Sequence, residues 1–296
     1  MPLFNRLLAS ALLLVTTASW AADHGSVNRT IEPLLADFVT NPVTVHLPEN
    51  SPLMASSLPT PPSQQLPWIA IIIDDLGYQQ GDRQAVLLPG PVACSFLPHT
   101  PYAVELANMA ARLDKEVMLH QPMESTTGNK LGSGALTLAM DETSFRNTLN
   151  NNLASLPHVS GVNNHMGSLL TSHNQPMNWL MTELRRHESL FFIDSRTTGQ
   201  TVALNIATDY QLPSSLRDVF LDNQPEPSQV LAQFELLIKK ARQQGSAIAI
   251  GHPYPVTLAM LKTQLPSLEA RGITLKPVEA IIKRRQQQKL QTAWHQ

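Results

Sequence analysis

The run Ile69-Ala70-Ile71-Ile72-Ile73, followed directly by Asp74-Asp75, constrains the fold of this chain more than any other feature. Its apolar residues, all but one β-branched, are not interrupted by polar ones as they are in a strand with one wet face. They describe a strand buried on both sides, the usual state of strands in a parallel sheet covered by helices. Similar short apolar runs recur at 92–97, 116–119, 159–163, 190–193, 219–221, 247–250 and 273–275. Between most of them lie helical patterns. Residues 103–113 carry an apolar stripe, and Asp141 can cap a helix running to 156 with Glu142 in its first turn. Residues 177–186 and 230–243 are amphipathic, the second entered through Pro227-Ser228, and 255–265 and 278–289 complete the set. Strands alternating with helices imply mostly parallel strands joined by crossovers. About seven or eight such units in roughly 210 residues predict an α/β fold, a closed or nearly closed (β/α) barrel, with a doubly wound open sheet as the alternative. No G-x-G-x-x-G follows the first strand, which disfavours dinucleotide binding.

The chain around this domain reads differently. Arg6, the apolar stretch 7–15 and the small residues Ser19 and Ala21 form a secretory signal, so residues 1–21 are expected to be cleaved and the protein to reach the periplasm. That stretch is too short to span a bilayer, and no stable membrane insertion is expected. Residues 22–66 hold Pro42, Pro48, Pro52, Pro59, Pro61 and Pro62 and read as a flexible tether, the natural place for an envelope protein partner to bind. The domain is expected over 67–280, with 281–296 a helical or disordered tail. Among the 296 residues, 43% are hydrophobic and 15% charged, enough apolar material for one sizeable core. A net charge of −2 supplies no basic field for nucleic acid. The single Cys94, within PVACSFLP, reads as a buried, inert thiol.

The position of the polar residues carries the chemistry. Asp74 and Asp75 follow Ile73, His120 follows Leu119, and His165 ends the Val-Asn-Asn run. Asp194 follows Ile193, Asp222 follows Leu221, and His252 follows Ile250-Gly251. In parallel α/β folds the carboxyl ends of the strands build the active site, so these groups should converge. One Asp before Gly would be a turn cap, and one lone His a hydrogen-bonded core residue. Two adjacent acids behind a buried strand must instead be solvated, paired or metal-bound. Other histidines serve as controls: His158 precedes its strand, His187 ends a helix, His24, His46 and His295 lie in tails, and His173 falls in a loop. His99, past a strand within LPHTP, is ambiguous. A carboxylate with neutral imidazoles suits a divalent metal such as zinc, which acidifies water and polarises a carbonyl while a nearby carboxylate takes the proton. Asp74 and Asp75 can divide the duties of base and ligand, and His252 can protonate the leaving group. Gly167-Ser168 is not part of a G-x-S-x-G elbow, which argues against a serine hydrolase.

The blocks IAIIIDDLGY, EVMLHQPME, GVNNHMGS, FFIDSRT, RDVFLDN and IAIGHPYP, in this order, resemble the divergent polysaccharide deacetylase family, a branch of the deacetylases with a NodB-like, distorted (β/α) barrel. The resemblance covers 68–279. It implies Asp74 as the base and Asp75 as a metal ligand. The family's H-x-x-x-H block reads His120-Gln121-Pro122-Met123-Glu124 here, making Glu124 a candidate ligand in place of the second histidine. An Arg-x-Pro-Tyr run is missing, and Asn163-Asn164-His165-Met166-Gly167 occupies that strand end, making His165 the alternative third ligand. Asp194 resembles the acid that orients catalytic groups, and His252 the late histidine that acts as general acid. Arg217 either binds substrate or forms a structural ion pair, and Asn164 and Asp222 are further candidates for substrate contact. The implied reaction is zinc-dependent removal of N-acetyl groups from peptidoglycan or another envelope glycan. The altered second and third blocks keep two rivals open: a non-enzymatic periplasmic barrel that binds glycan or an envelope partner, and a hydrolase of some other ester or phosphoester. Aromatic residues are only 5% of the chain, so no long polymer-stacking surface is evident.

Overall fold

The structure, a computed structural model, describes residues 66–294; the expected leader of 1–21 and the tether of 22–66, apart from Leu66, lie outside the described residues. The apolar run is the first strand, β1 (Trp68–Leu76), and its two faces enter two different cores. Ile69, Ile71 and Ile73 join the large core beneath the helices, whereas Ala70 and Ile72 join a smaller one on the concave side of the sheet. Burying each of these isoleucines contributes about 1.5–3 kcal/mol, which makes a two-sided strand the natural centre of the fold.

The other strands are β2 (Ala93–Phe96), β3 (Val117–Met123), β4 (Val159–Met166), β5 (Phe191–Asp194), β6 (Ser214–Leu216), β7 (Val219–Phe220), β8 (Ser246–Gly251) and β9 (Thr274–Leu275). They form one sheet in the order β6-β5-β4-β3-β2-β1-β8-β7, with β9 against the start of β1, and every pairing is parallel. The helices are α1 (Arg83–Val86), α2 (Ala103–Arg112), α3 (Glu142–Ala154), α4 (Asn174–Arg185), α5 (Ala203–Asp209), α6 (Pro227–Gln244), α7 (Pro255–Gln264) and α8 (Val278–Trp294). Asp141 caps α3 by accepting from the Ser144 N–H at 2.7 Å. Among the described residues no helix is long and apolar enough to cross a membrane.

The sheet curls until its two ends meet in a single stretch of chain. Residues 214–216 pair with β5 and residues 219–220 with β8, and only Arg217-Asp218 separates them. The Arg217 N–H still donates to the Asp194 carbonyl at 3.0 Å, and the Asp218 N–H already donates to that of Ile248 at 2.8 Å. The barrel is thus closed by one segment that changes partner halfway, which rules out the doubly wound alternative. Such a change leaves a wedge on each side of the segment. In the lower one, Arg285 of α8 donates to Ser215 Oγ at 2.7 Å, Asp218 Oδ2 at 2.6 Å and the Ser246 carbonyl at 3.1 Å. Arg217 fills the upper one.

The concave core contains Met118, Phe191, Ile193, Ile248 and Ile250, and α8 plugs it with Val278, Ile281 and Ile282. Helix α8 therefore runs unbroken across the boundary expected at residue 280, because its first turns are interior. Gly161 lies where β4 crosses Phe191, and a Cβ there would press into that ring. All eight expected runs are strands. Unanticipated were β6, whose Ser-Ser-Leu has no apolar run, and the short α5.

Candidate active site

The residues that continue the concave face beyond its apolar layer form the site. Asp74 follows Ala70 and Ile72, His120 follows Met118, Asn163 and His165 follow Gly161, and His252 follows Ile250. Strand alternation carries all of them to one side. Asp75 should by the same rule face away. It does not, because the β1–β2 register shifts between Ile73 and Leu76 and Asp75 adopts φ 61°, a bulge that brings both acids to the cleft. A left-handed non-glycine residue costs roughly 1–2 kcal/mol. Met166 (φ 52°) and Arg196 (φ 49°) repeat the device at the heads of β4 and β5.

Asp75 Oδ1 lies 3.1 Å from His120 Nε2 and 2.9 Å from His165 Nδ1, and those nitrogens are 3.2 Å apart. The oxygen is buried and accepts no well-formed hydrogen bond. Burial alone would raise the Asp75 carboxyl, but the positive charge that His120 and His165 carry when protonated outweighs it and holds the group well below the usual carboxylate range. Three donors spaced in this way match the edges of a coordination shell with bonds of about 2.0–2.2 Å, so the residues fit a divalent cation.

Asn163 sets the state of this cluster. Its Oδ1 accepts from Ser95 Oγ at 2.6 Å and lies 3.0 Å from His120 Nδ1, while its Nδ2 donates to both Asp74 oxygens at 2.9 and 3.0 Å. The amide orientation follows from these partners. An Oδ1 can only accept, so His120 carries a proton on Nδ1, which leaves Nε2, facing Asp75 and His165, as the nitrogen that could take a cation. Across the cleft, Asp222 accepts from His252 Nδ1 at 2.9 Å, from the His252 backbone N–H at 2.6 Å and from Thr257 Oγ1 at 2.7 Å. Burial disfavours the charged His252 ring, but the Asp222 hydrogen bond and the charges of Asp74 and Asp75 outweigh this and raise its pKa to about 9. His252 Nε2 is 3.8 Å from Asp75 Oδ2. Asp74, Asp75, His120, His165 and His252 line a cleft of about 180 Å³ together with Ser195, Arg217 and Phe220.

A model of the divergent polysaccharide deacetylase family matches residues 71–282. The chain belongs to that family. A Haemophilus influenzae protein is 38% identical over 201 residues, 68% of this chain and 71% of that one. The protein YibQ of Escherichia coli K12 is 34% identical over 215 residues, 72% of this chain and 67% of that one. In fold, the chain resembles the crystal structure of ATU2773 from Agrobacterium tumefaciens C58, with a TM-score of 0.71 at 23% identity over 74% of this chain and 90% of that one. The curled parallel sheet with its helices is the NodB-like (β/α) barrel.

Within this member of the family, Asp74, Asp75, His120, His165, His252, Asn164 and Arg217 all face the cleft. Three other expected residues do not. Glu124 stands four residues beyond His120 on an extended strand, about 13 Å along it. Its carboxylate accepts from the Leu138 N–H at 2.7 Å, and among the described residues the group that could hold a metal ion is Asp75, His120 and His165 without it. Asp194 has the wrong parity, so it turns into its own loop and accepts from the Arg196 N–H and Thr201 Oγ1, both at 2.8 Å. Asp222 spends its oxygens on His252 and Thr257 and acts by holding that imidazole. Asn164 lines the cleft, yet its amide is occupied, bracing β4 against β5 through the Ser195 N–H at 2.8 Å and the Met166 carbonyl at 2.6 Å. Sequence reasoning passed over Asn163, whose signal was a polar residue inside an otherwise buried run. Cys94 is buried in β2, and burial pushes its thiol up to about 12. His99 binds Asn152 Oδ1 at 2.9 Å and does not line the cleft.

Proposed function

We propose that this chain is a metal-dependent hydrolase that removes N-acetyl groups from an envelope glycan, with Asp75, His120 and His165 holding zinc or a similar divalent cation. The observation that carries the reading is Asp75 Oδ1, a buried carboxylate oxygen left without a hydrogen bond between two imidazole nitrogens. When bound, the cation supplies Lewis acidity that polarises an amide carbonyl and acidifies water.

The remaining work falls to the chain's own side chains. Asp74, oriented by both N–H···O contacts from Asn163, takes the proton of the attacking water. His252, held charged by Asp222, gives a proton to the departing sugar amine. Asp74 thus serves as the base and His252 as the acid of one bond cleavage. The bulge at Asp75 separates their tasks by placing a ligand, rather than a second base, between them. A cleft of about 180 Å³ accommodates an acetamido group with part of one sugar ring, so a long chain would lie across its mouth. The signal-like N-terminus supports a periplasmic location, and peptidoglycan is then the nearest acetylated glycan.

The test is acetate release from peptidoglycan fragments and acetylated chito-oligosaccharides by the zinc-loaded protein. Asp74→Asn should abolish release while zinc stays bound, and Asp75→Ala should lose both. A zinc-loaded protein that releases no acetate from this panel but retains a glycan or an envelope partner would replace the hydrolase by a binding protein. Phosphate release from phosphoester controls would redirect the reading to other ester chemistry.

A further inference from the structure

Two arginines fill the two wedges beside the segment 214–220, and only one of them is spent. The lower wedge opens on a larger cavity of about 640 Å³, but Arg285 there is already neutralised by Asp218 and hydrogen-bonded to Ser215 and Ser246. It offers an incoming anion nothing. Arg217, in the upper wedge, has no carboxylate partner among the described residues. Its Nε donates to the Ser195 carbonyl at 2.6 Å, its Nη2 to the Arg196 carbonyl at 3.0 Å, and its Cζ lies 4.7 Å above the Phe220 ring. Those contacts fix the fork without consuming its charge, and the rest of the guanidinium borders the cleft that holds Asp75, His120 and His165.

We propose that Arg217 is a subsite for a substrate carboxylate, so that the preferred substrate is an acetamido sugar carrying a carboxylate close to its N-acetyl group. This deepens the deacetylase reading and rests on it for the identity of the reacting group. A fixed guanidinium with free N–H groups beside a small cleft is the arrangement that recognises planar anions. The formal charge points the same way. Arg217 carries one positive charge, and no carboxylate among the described residues forms an ion pair with it. One charge suits a carboxylate better than a phosphate ester. The two backbone carbonyls hold the fork in place before the ligand arrives, so little ordering cost opposes binding.

The test compares N-acetylmuramic acid with its methyl ester, which differ in charge and little in shape, by calorimetry on the full-length zinc-loaded protein and again on the metal-free protein. The acid should bind about 10- to 100-fold more tightly, the range of a hydrogen bond between charged groups. In Arg217→Gln that preference should shrink to about unity, and Arg217→Lys should keep part of it. If Arg217→Gln fails to fold, Arg217→Lys and the acid-against-ester comparison on the unaltered protein decide the matter. Equal affinity for acid and ester, binding of neither, tighter binding of N-acetylglucosamine 6-phosphate than of the acid, or a preference that survives Arg217→Gln would each overturn the proposal. Acetate release is scored separately. A binding preference without hydrolysis would remove the deacetylase reading and leave the carboxylate subsite standing.

Discussion

Replacing Asn163 with alanine should damage both the fold and the proposed metal site, and the structure sets how much. The side chain is fully buried and serves four residues: both oxygens of Asp74, the Nδ1–H of His120 and the hydroxyls of Ser95 and Ser195. Truncation leaves a buried carboxylate, an imidazole N–H and two hydroxyls short of a partner. Each such loss costs about 1–3 kcal/mol, and water entering the small void recovers part of it. A net loss of about 2–4 kcal/mol lowers the melting temperature of a domain this size by roughly 5–15 °C. His120 also loses the group that fixes its tautomer, and removal of such an outer partner weakens metal affinity by about 10- to 100-fold. The assay is thermal melting in chelator, together with zinc titration against a competing chromophoric chelator. Asn163→Asp should be worse than Asn163→Ala, because a second carboxylate would then face Asp74. If Asn163→Ala melts within a degree of the parent and holds zinc with unchanged affinity, the tautomer argument is wrong.

Three further outcomes follow from the same geometry. Glu124→Gln should bind zinc as the parent does, because its carboxylate caps the Leu138 N–H; a large loss measured by the same titration would restore Glu124 to the ligand set. Gly161→Ala should destabilise the fold by about 1–3 kcal/mol, read as a fall in denaturation midpoint, because its methyl group would press into Phe191 within the concave core. Glu183 bridges α3 and α4 through Arg146 at 2.7 Å and Asn150 at 2.9 Å, with Arg186 at 3.1 Å. Burial would raise its carboxyl, but these hydrogen bonds and charges outweigh it and hold the group below its ordinary 4.5. A depressed folded-state value stabilises the protein above the unfolded one, and that gain is lost as the pH falls below it. Glu183→Gln should therefore melt lower than the parent at neutral pH, and the gap should narrow in acid; a constant gap would contradict the assignment.

How far the sequence disclosed this molecule depended on whether each signal was local. The strands were legible because parallel sheets bury both faces, and an unbroken apolar run such as 69–73 fits little besides a strand of that kind. The ring of polar residues at strand heads was legible for the same reason, since each acid or imidazole followed an apolar run. What stayed hidden was direction. Asp194 follows an apolar run as Asp74 does, but one residue of parity turns it to the other side. Asp75 has the wrong parity and reaches the cleft only through a bulge, which no pattern in Asp-Asp-Leu-Gly announces. The H-x-x-x-E block suggested a shared metal through its resemblance to the family's H-x-x-x-H; here β3 remains extended to Met123, and that spacing separates the two side chains. Asn163 escaped attention because amides are commonplace, and its importance comes from partners on β1, β2 and β3 that are remote in sequence.

The changeover within residues 214–220 has a consequence for how the protein behaves in company. A parallel sheet cut off at either end would present a row of free amide and carbonyl groups, ready to pair with another chain. Here the same short segment occupies both margins, and Arg285 and Arg217 fill what it cannot reach. Among the described residues neither margin leaves a long unpaired strand, so pairing along the sheet edge is closed to a neighbouring chain.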